Sequence, residues 1–178
     1  MKNLTIKNAT IYDNGTMTAL LGVSNAKVAD NTVIKKDDGS VLALPPQEQY
    51  EKDGVKKYAR VITYANGEAM SAAAAALLDA PTEDIFLYAE PFAVNGGSKV
   101  GIATLTGDVT LKVTVIKKED GTYSLVLPGR KYTNKEGKTR TAYFVWPFAT
   151  KGDELKAEID ALVADIVAQA KPYVESAE

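Results

Sequence analysis

The sequence predicts an α+β fold: two similar units, each an antiparallel β-sheet followed by one C-terminal α-helix, together forming a pseudo-dimer. One observation behind this prediction is an internal repeat. The segment VIKKDDGSVLALP at residues 33–45 returns almost unchanged as VIKKEDGTYSLVLP at residues 115–128, and we interpret Tyr123 as the additional residue of the second copy. The other observation is that strand patterns precede a helical pattern in each copy. The repeated segments begin at residues 33 and 115. Because solenoid units run only about 20–50 residues, this longer distance between the copies indicates a tandem duplication of one globular domain.

The repeat also sets the predicted domain boundaries. Residues 1–80 form the first repeat and residues 84–172 the second, joined by a short linker over 81–83 and followed by a tail over 173–178. Since so short a linker leaves the copies little freedom, we expect them to pack against each other.

The first repeat is predicted to consist of strands followed by a helix. Asn14-Gly15 accepts positive φ and marks a hairpin turn, and Pro45-Pro46 ends a strand because proline cannot donate to a sheet ladder. Asn66 is expected to cap the helix, which the alanine run at residues 72–76 favours. The predicted strands lie at 4–7, 9–12, 17–23, 27–35, 41–44 and 57–64, with a polar arm over 47–56 and the helix over 68–79.

The second repeat follows the same order. A turn is predicted at Thr106-Gly107-Asp108, Thr150 and Asp153 resemble a capping box before the last helix, and Pro172 approximately ends that helix. The predicted strands lie at 84–94, 100–105, 109–117, 123–127 and 139–146, with a turn at 95–97 and an arm over 129–138. The last helix is predicted to be amphipathic. Its apolar face consists of Leu155, Ile159, Leu162, Val163, Ile166, Val167 and Ala170.

The composition restricts the classes of function. The chain of 178 residues has no cysteine and no histidine, which excludes thiol nucleophiles, Ser-His-Asp triads and Cys/His zinc sites. Phosphate-loop and EF-hand spacings are also absent. We therefore expect a protein that is not an enzyme and uses no cofactor or metal. The first residues contain no apolar signal region, and no run of 18 apolar residues exists to span a bilayer, so the sequence predicts a cytoplasmic protein without a membrane segment.

Charge is unevenly distributed along the chain. The net charge is −2, yet residues 112–151 hold nine Lys/Arg against three acids, whereas residues 152–178 hold two Lys against seven acids. A local basic segment in an acidic protein is typical of an electrostatic binding site, but it also fits a flexible, solvated hairpin. The candidate nucleic-acid-binding residues of this basic arm are Arg130, Lys131, Tyr132, Lys135, Lys138 and Arg140. Arg and Lys would contact phosphates, and Tyr132 could stack on a base.

An aromatic segment follows the arm, at residues 143–148. Strand alternation predicts that Tyr143 and Val145 face one side and that Phe144 and Trp146 face the other. One set is expected to enter the core. The other would form an interface with the first repeat or a stacking platform, and the acidic helix nearby favours core or interface.

Both copies resemble the stage V sporulation protein G (SpoVG) family. The second copy carries LVLPGRK at 125–131, Glu-Gly-Lys at 136–138 and Trp-Pro-Phe at 146–148, and the first carries LALP at 42–45 and YEKDG at 50–54. The resemblance implies a small bacterial regulator that binds nucleic acid and dimerises, and two copies in one chain would imitate that dimer. Two departures concern the first copy. It has Gln47-Glu48 where the second has Arg130-Lys131, and Tyr64 where the second has Pro147.

These observations lead to one expected function and to alternatives. We expect a non-enzymatic, regulatory protein of bacterial or mobile-element origin that binds DNA or RNA through the basic arm of the second repeat. A protein-binding or structural accessory module of a phage or mobile element is the alternative, favoured by the balanced charge and the acidic last helix. A DNA-mimicking inhibitor is a third, although its acids would be concentrated on one helix.

Overall fold

A computed structural model of the chain describes residues 3–80, 85–94 and 97–175. The predicted linker at 81–83, the turn residues 95 and 96, and the end of the predicted tail at 176–178 lie outside the described residues. In chain order, the elements are β1 (Leu4–Ile11), β2 (Met17–Lys35), β3 (Val41–Leu44), β4 (Gln47–Lys52), β5 (Val55–Arg60), β6 (Ile62–Tyr64), α1 (Gly67–Asp79), β7 (Ile85–Val94), β8 (Gly97–Lys117), β9 (Tyr123–Val126), β10 (Gly129–Thr133), β11 (Thr139–Tyr143), α2 (Gly152–Gln169) and β12 (Lys171–Pro172). The predicted α+β class is confirmed.

The two long strands β2 and β8 organise the molecule. They pair antiparallel along their length, from Met17 opposite Val115 to Lys35 opposite Ser98. The other edge of β2 carries β1, an isolated bridge to Val145, and β3. The other edge of β8 carries β7, β6 and β9, in this order along β8. They occupy the places that β1, the Val145 bridge and β3 occupy along β2. With β12 beside β1, these strands form one eight-stranded sheet to which both halves of the chain contribute.

The predicted turn at residues 106–108 is wrong, because β8 runs through it without interruption. β2 likewise continues across the gap predicted between residues 23 and 27, and β-bulges absorb the irregularity there and between Val28 and Asn31. Gly107 does not form a turn. It lies within β8 at a point where the side chain of Met70 on α1 comes close to the strand. A Cβ at this position would lie 2.5 Å from the Sδ atom of Met70 on α1, so a larger residue here would require the Met70 side chain to shift.

The two polar arms fold as β-hairpins that stand apart from the main sheet. β4 pairs with β5 and β10 pairs with β11 as separate two-stranded sheets. The first hairpin closes through Asp53 and Gly54, both at positive φ, as a two-residue turn of this kind requires. The second closes through the longer turn 134–138, in which Asn134 Oδ1 accepts hydrogen bonds from the amides of Glu136 and Lys138.

The strand registers place the additional residue of the second repeated segment elsewhere than the sequence alignment did. Thr32 pairs with Leu44 in β3 and Thr114 pairs with Val126 in β9, so both copies keep equal spacing past Tyr123. The placement of the additional residue at Tyr123 is therefore wrong, and it falls in the longer second hairpin turn.

The spacing between the two repeated segments stays the same in the first strand of each hairpin. Gln47 pairs with Arg60, and Gly129 pairs with Tyr143. Arg130 and Lys131 therefore correspond to Glu48 and Gln49, and not to Gln47 and Glu48 as the repeat alignment predicted.

The helices close one face of the sheet. The core contains the inward residues of β2 and β8, such as Leu21 and Leu111, both fully buried. In α2, Leu162, Val163 and Ile166 are buried, and the other four residues of its predicted apolar face pack against this core partly buried. The amphipathic prediction is thus confirmed. Neither helix in the described ranges is long and apolar enough to cross a membrane.

The two helix starts differ. Asn66 caps α1 as predicted, its Oδ1 accepting from the Ala69 amide at 3.0 Å. The predicted capping box of α2 is wrong, because Lys151 occupies the N-cap without a side-chain cap and the Thr150 hydroxyl donates to the Glu158 carboxylate. α2 ends at Gln169, close to the predicted end. β12 then pairs in parallel with β1, where Tyr173 packs against Tyr12.

Candidate nucleic-acid interface

A groove separates the β4–β5 hairpin from the base of β10, and we call it the arm groove. Its volume is about 1140 Å³. Its floor comes from β2, β6 and β8, through residues such as Thr32, Ile62 and Ile102. The charged residues that line it are Arg60, Lys99, Arg130, Lys131, Asp30 and Glu48. Four cations, from both halves of the chain, therefore face one concave surface together with two acids.

Arg130 is held in position by Asp30. The Arg130 Nε donates to Asp30 Oδ2 at 2.9 Å, while 61% of the Arg130 side chain stays exposed against 26% for Asp30. Asp30 lies at a β-bulge of β2 with φ of 58°. A guanidinium has five N–H donors in a fixed fork, so the bond to Asp30 orients Arg130 and leaves its outer N–H groups available to an anion.

The rest of the predicted set divides between the faces of the second hairpin. Because residues alternate along a strand, Lys131 projects from the face opposite to that of Arg130 and Tyr132. Tyr132 lies directly across from Arg140, and all these side chains are exposed. The first hairpin has the corresponding pair, Tyr50 across from Lys57. An aromatic ring opposite a cation thus recurs in both arms.

Lys135 and Lys138 lie at the hairpin tip. Both are exposed, and Lys138 forms an ion pair with Glu136 at 3.1 Å. Such a surface pair contributes little to stability. The structure therefore brings Arg130 and Lys131 into the arm groove, whereas Tyr132, Arg140, Lys135 and Lys138 lie outside its lining.

Sequence reasoning missed the contributions of Arg60, Lys99 and Tyr58 to the groove. The first two lie outside the residues 112–151 to which the charge count drew attention. One signal was present, because Lys57-Tyr58-Ala59 matches Arg140-Thr141-Ala142 in the repeat. That match places Arg60 at the base of a hairpin, where the second copy has Tyr143.

The aromatic segment does not alternate as predicted. Phe144 and Val145 are both buried, while Tyr143 and Trp146 are 43% and 47% exposed. The prediction failed because β11 ends at Tyr143 and Val145 forms an isolated bridge to Val28 instead of continuing the strand. The rings of Tyr143 and Trp146 contact each other at a centroid distance of 5.3 Å, and the Trp146 ring meets Phe148 edge-on.

A buried polar cluster supports the floor of the groove. The Asn31 side chain is inaccessible to solvent and donates to the carbonyl oxygens of Val28 and Ala103, at 2.7 and 2.9 Å. The Tyr64 hydroxyl donates to Asn31 Oδ1 at 2.5 Å. Burial raises the pKa of Tyr64 above its usual value, which keeps the phenol protonated as a donor.

Within the described part of the chain, no group of three or more Asp or Glu side chains could hold a metal ion. Comparison of the chain with models of protein families, with curated proteins and with solved structures gave no match.

Proposed function

We propose that the protein is a non-enzymatic, cytoplasmic regulator of bacterial or mobile-element origin that binds DNA or RNA in the arm groove. The observation that carries the proposal is the convergence of Arg60, Lys99, Arg130 and Lys131 on one surface. Lys and Arg side chains in a groove are the usual means of following a phosphate backbone. Four cations against two acids, Asp30 and Glu48, leave the lining with an excess of positive charge in a protein of net charge −2.

The size of the groove favours a polymer over a small metabolite. Its volume of about 1140 Å³ exceeds the roughly 300–1,000 Å³ of ordinary small-molecule pockets. The lining is also shared between two hairpins, which suits a ligand that passes between them.

We further propose that the two repeats are SpoVG-like and imitate a dimer within one chain. The support is reciprocal pairing. The Lys112 amide of the second repeat donates to the Val61 carbonyl oxygen of the first, and the Ala29 amide of the first donates to the Phe144 carbonyl oxygen of the second, both at 2.8 Å. Contacts exchanged in this way are typical of two-fold interfaces.

The proposed function is tested by removing two groove cations. Arg130→Ala with Lys131→Ala should weaken binding to oligonucleotides of any sequence, because fewer phosphates are neutralised. The dependence of log affinity on log salt concentration should flatten by about one unit for each phosphate that the variant no longer neutralises. Fluorescence anisotropy with single- and double-stranded DNA and RNA at several salt concentrations measures both effects.

The matched control is Lys35→Ala with Lys36→Ala. It removes the same charge from exposed positions before the Asp37-Asp38-Gly39 turn, away from the groove lining, and should leave the affinity and the salt slope nearly unchanged. Equal effects of the two double variants would mean that only net charge matters. Absence of binding by the unsubstituted protein at low salt would reject the proposal.

A protein-binding function is the second candidate, and one surface favours it. Leu20, Ile116 and Val126 are 37%, 44% and 42% exposed on the face of the main sheet opposite the core. Their pairings, Leu20 with Lys112, Ile116 with Ser124 and Val126 with Thr114, place all three on one side. Apolar side chains exposed together on a sheet face are typical of protein contacts.

A further inference from the structure

Tyr143 and Trp146 present an aromatic surface beside the arm groove. Nearly half of each side chain is exposed, and the rings contact each other at 5.3 Å with an interplanar angle of 42°. Phe148, which is buried, supports Trp146 from the edge at 5.3 Å. The pair is therefore held by the core on one side and open to solvent on the other.

The hairpin register connects this surface to the cations. Tyr143 lies opposite Gly129 and Thr141 lies opposite Lys131, so Tyr143 and Lys131 project from the same face of the hairpin as diagonal neighbours, two positions apart along the ladder. Lys131 also lines the arm groove. A cation that can contact phosphate thus neighbours two rings that can contact a base.

Gly129 leaves the Tyr143 ring without a side chain across the ladder. A Cβ at Gly129 would lie 2.5 Å from the carbonyl oxygen of Ala142, a backbone atom that cannot easily move. The close approach of β10 and β11 therefore requires glycine here, and glycine leaves that side of the tyrosine uncovered.

We infer that Tyr143 and Trp146 form a stacking subsite for an unpaired nucleobase, and that the ligand of the arm groove is single-stranded nucleic acid. The inference rests on the proposed function and specifies its ligand. Bases inside a duplex already stack on their neighbours, so only an unpaired base offers a face to an aromatic side chain. The adjacent Lys131 supplies the charge that a base-plus-phosphate unit requires.

Trp146 provides the readout, because it is the single tryptophan of the chain. The test uses the full-length protein and three oligonucleotides of about 12 nucleotides, a length within the known range of single-strand sites. They are a single strand, its duplex, and an abasic strand that keeps the phosphates but lacks the bases. The single strand should quench Trp146 fluorescence and bind about 5- to 100-fold more tightly than the abasic strand.

Two substitutions test the rings themselves. Tyr143→Ala and Trp146→Ala should each weaken single-strand binding by about 5- to 100-fold and leave abasic-strand binding nearly unchanged. Trp146→Phe keeps a stacking ring and should retain most of the affinity, which covers the case that the alanine variant does not fold. The matched control is Tyr173→Ala, which removes an exposed tyrosine beside β1, away from both hairpins.

The results separate this inference from the function on which it rests. Equal affinity for the normal and abasic strands, or tighter binding of the duplex, would overturn the stacking subsite while leaving phosphate binding in the groove intact. Unchanged single-strand binding by Tyr143→Ala and Trp146→Ala would overturn it as well. Failure of the protein to bind any of the three oligonucleotides would overturn both.

Discussion

At the scale of single residues, two neighbours on β2 connect the core to the arm groove. Asn31 is buried and satisfies the carbonyl groups of Val28 and Ala103, while Asp30 reaches the surface and holds Arg130. The bulge between Val28 and Asn31 accompanies the positive φ of Asp30. An irregularity in a central strand therefore positions a groove cation.

Asn31→Leu should destabilise the fold by about 2–4 kcal/mol, because it leaves two buried carbonyl groups and the Tyr64 hydroxyl without their partner. The same substitution at Asn8, which is exposed on β1, should change the free energy of unfolding by no more than about 0.5 kcal/mol. Urea denaturation followed by circular dichroism measures both. Similar destabilisation at the two positions would show that the Asn31 network does not stabilise the fold.

At the scale of elements, the N-termini of the two helices can be compared, because the side-chain cap is formed in α1 and missing in α2. Asn66→Ala should cost about 1 kcal/mol, since it removes the bond to the Ala69 amide at the start of α1. Lys151→Ala should cost almost nothing, because Lys151 makes no side-chain cap bond at the start of α2. Thermal denaturation of the two variants tests this difference. A larger destabilisation by Lys151→Ala would contradict the assigned helix start.

Local signals in the sequence predicted many elements correctly. The α1 range, the Asn66 cap, the apolar face of α2 and the Asp-Gly turns depend on contacts within a few residues. In both of the repeated turns a carboxylate accepts from the side chain two residues on, Ser40 in the first and Thr122 in the second, and this bond lowers the pKa of Asp38 and Asp120. The repeat thus extends to individual hydrogen bonds.

Elements that depend on long-range pairing were not predictable in this way. β2 and β8 each looked like two strands, because only their mutual pairing carries the chain through the bulges. Gly107 resembled a turn residue, but it lies within β8 and the Met70 side chain of α1 packs against it. The arm groove has the same origin. Arg60 and Arg130 are far apart in the chain, and only the packing of two hairpins brings them to one surface.

At the scale of the whole molecule, the sheet is shared between the N-terminal and the C-terminal half of the chain. β6 of the N-terminal half pairs with β8 of the C-terminal half, and Val145 of the C-terminal half bridges to Val28 of the N-terminal half. The arm groove is a consequence of this exchange, because it draws its cations from both halves of the chain. The helices cover the core side of the sheet and leave apolar side chains on its outer side, namely Leu20, Ile116 and Val126.

The two candidate functions therefore place the ligand on different surfaces of the same molecule. Nucleic acid would contact the hairpins over residues 47–60 and 129–143, whereas a protein partner would cover the outer face of β8 and β9 over residues 112–126. Backbone amides in these ranges report on contact without any substitution that could disturb the fold.

The most direct measurement is hydrogen–deuterium exchange of the full-length protein with and without a single-stranded oligonucleotide of about 12 nucleotides. We expect slower exchange in 47–60 and 129–143 and no change in 112–126. Slower exchange in only one hairpin would contradict a groove shared by both repeats. Unchanged exchange in both hairpins at saturating oligonucleotide, or slowing confined to 112–126, would contradict nucleic-acid binding in the arm groove.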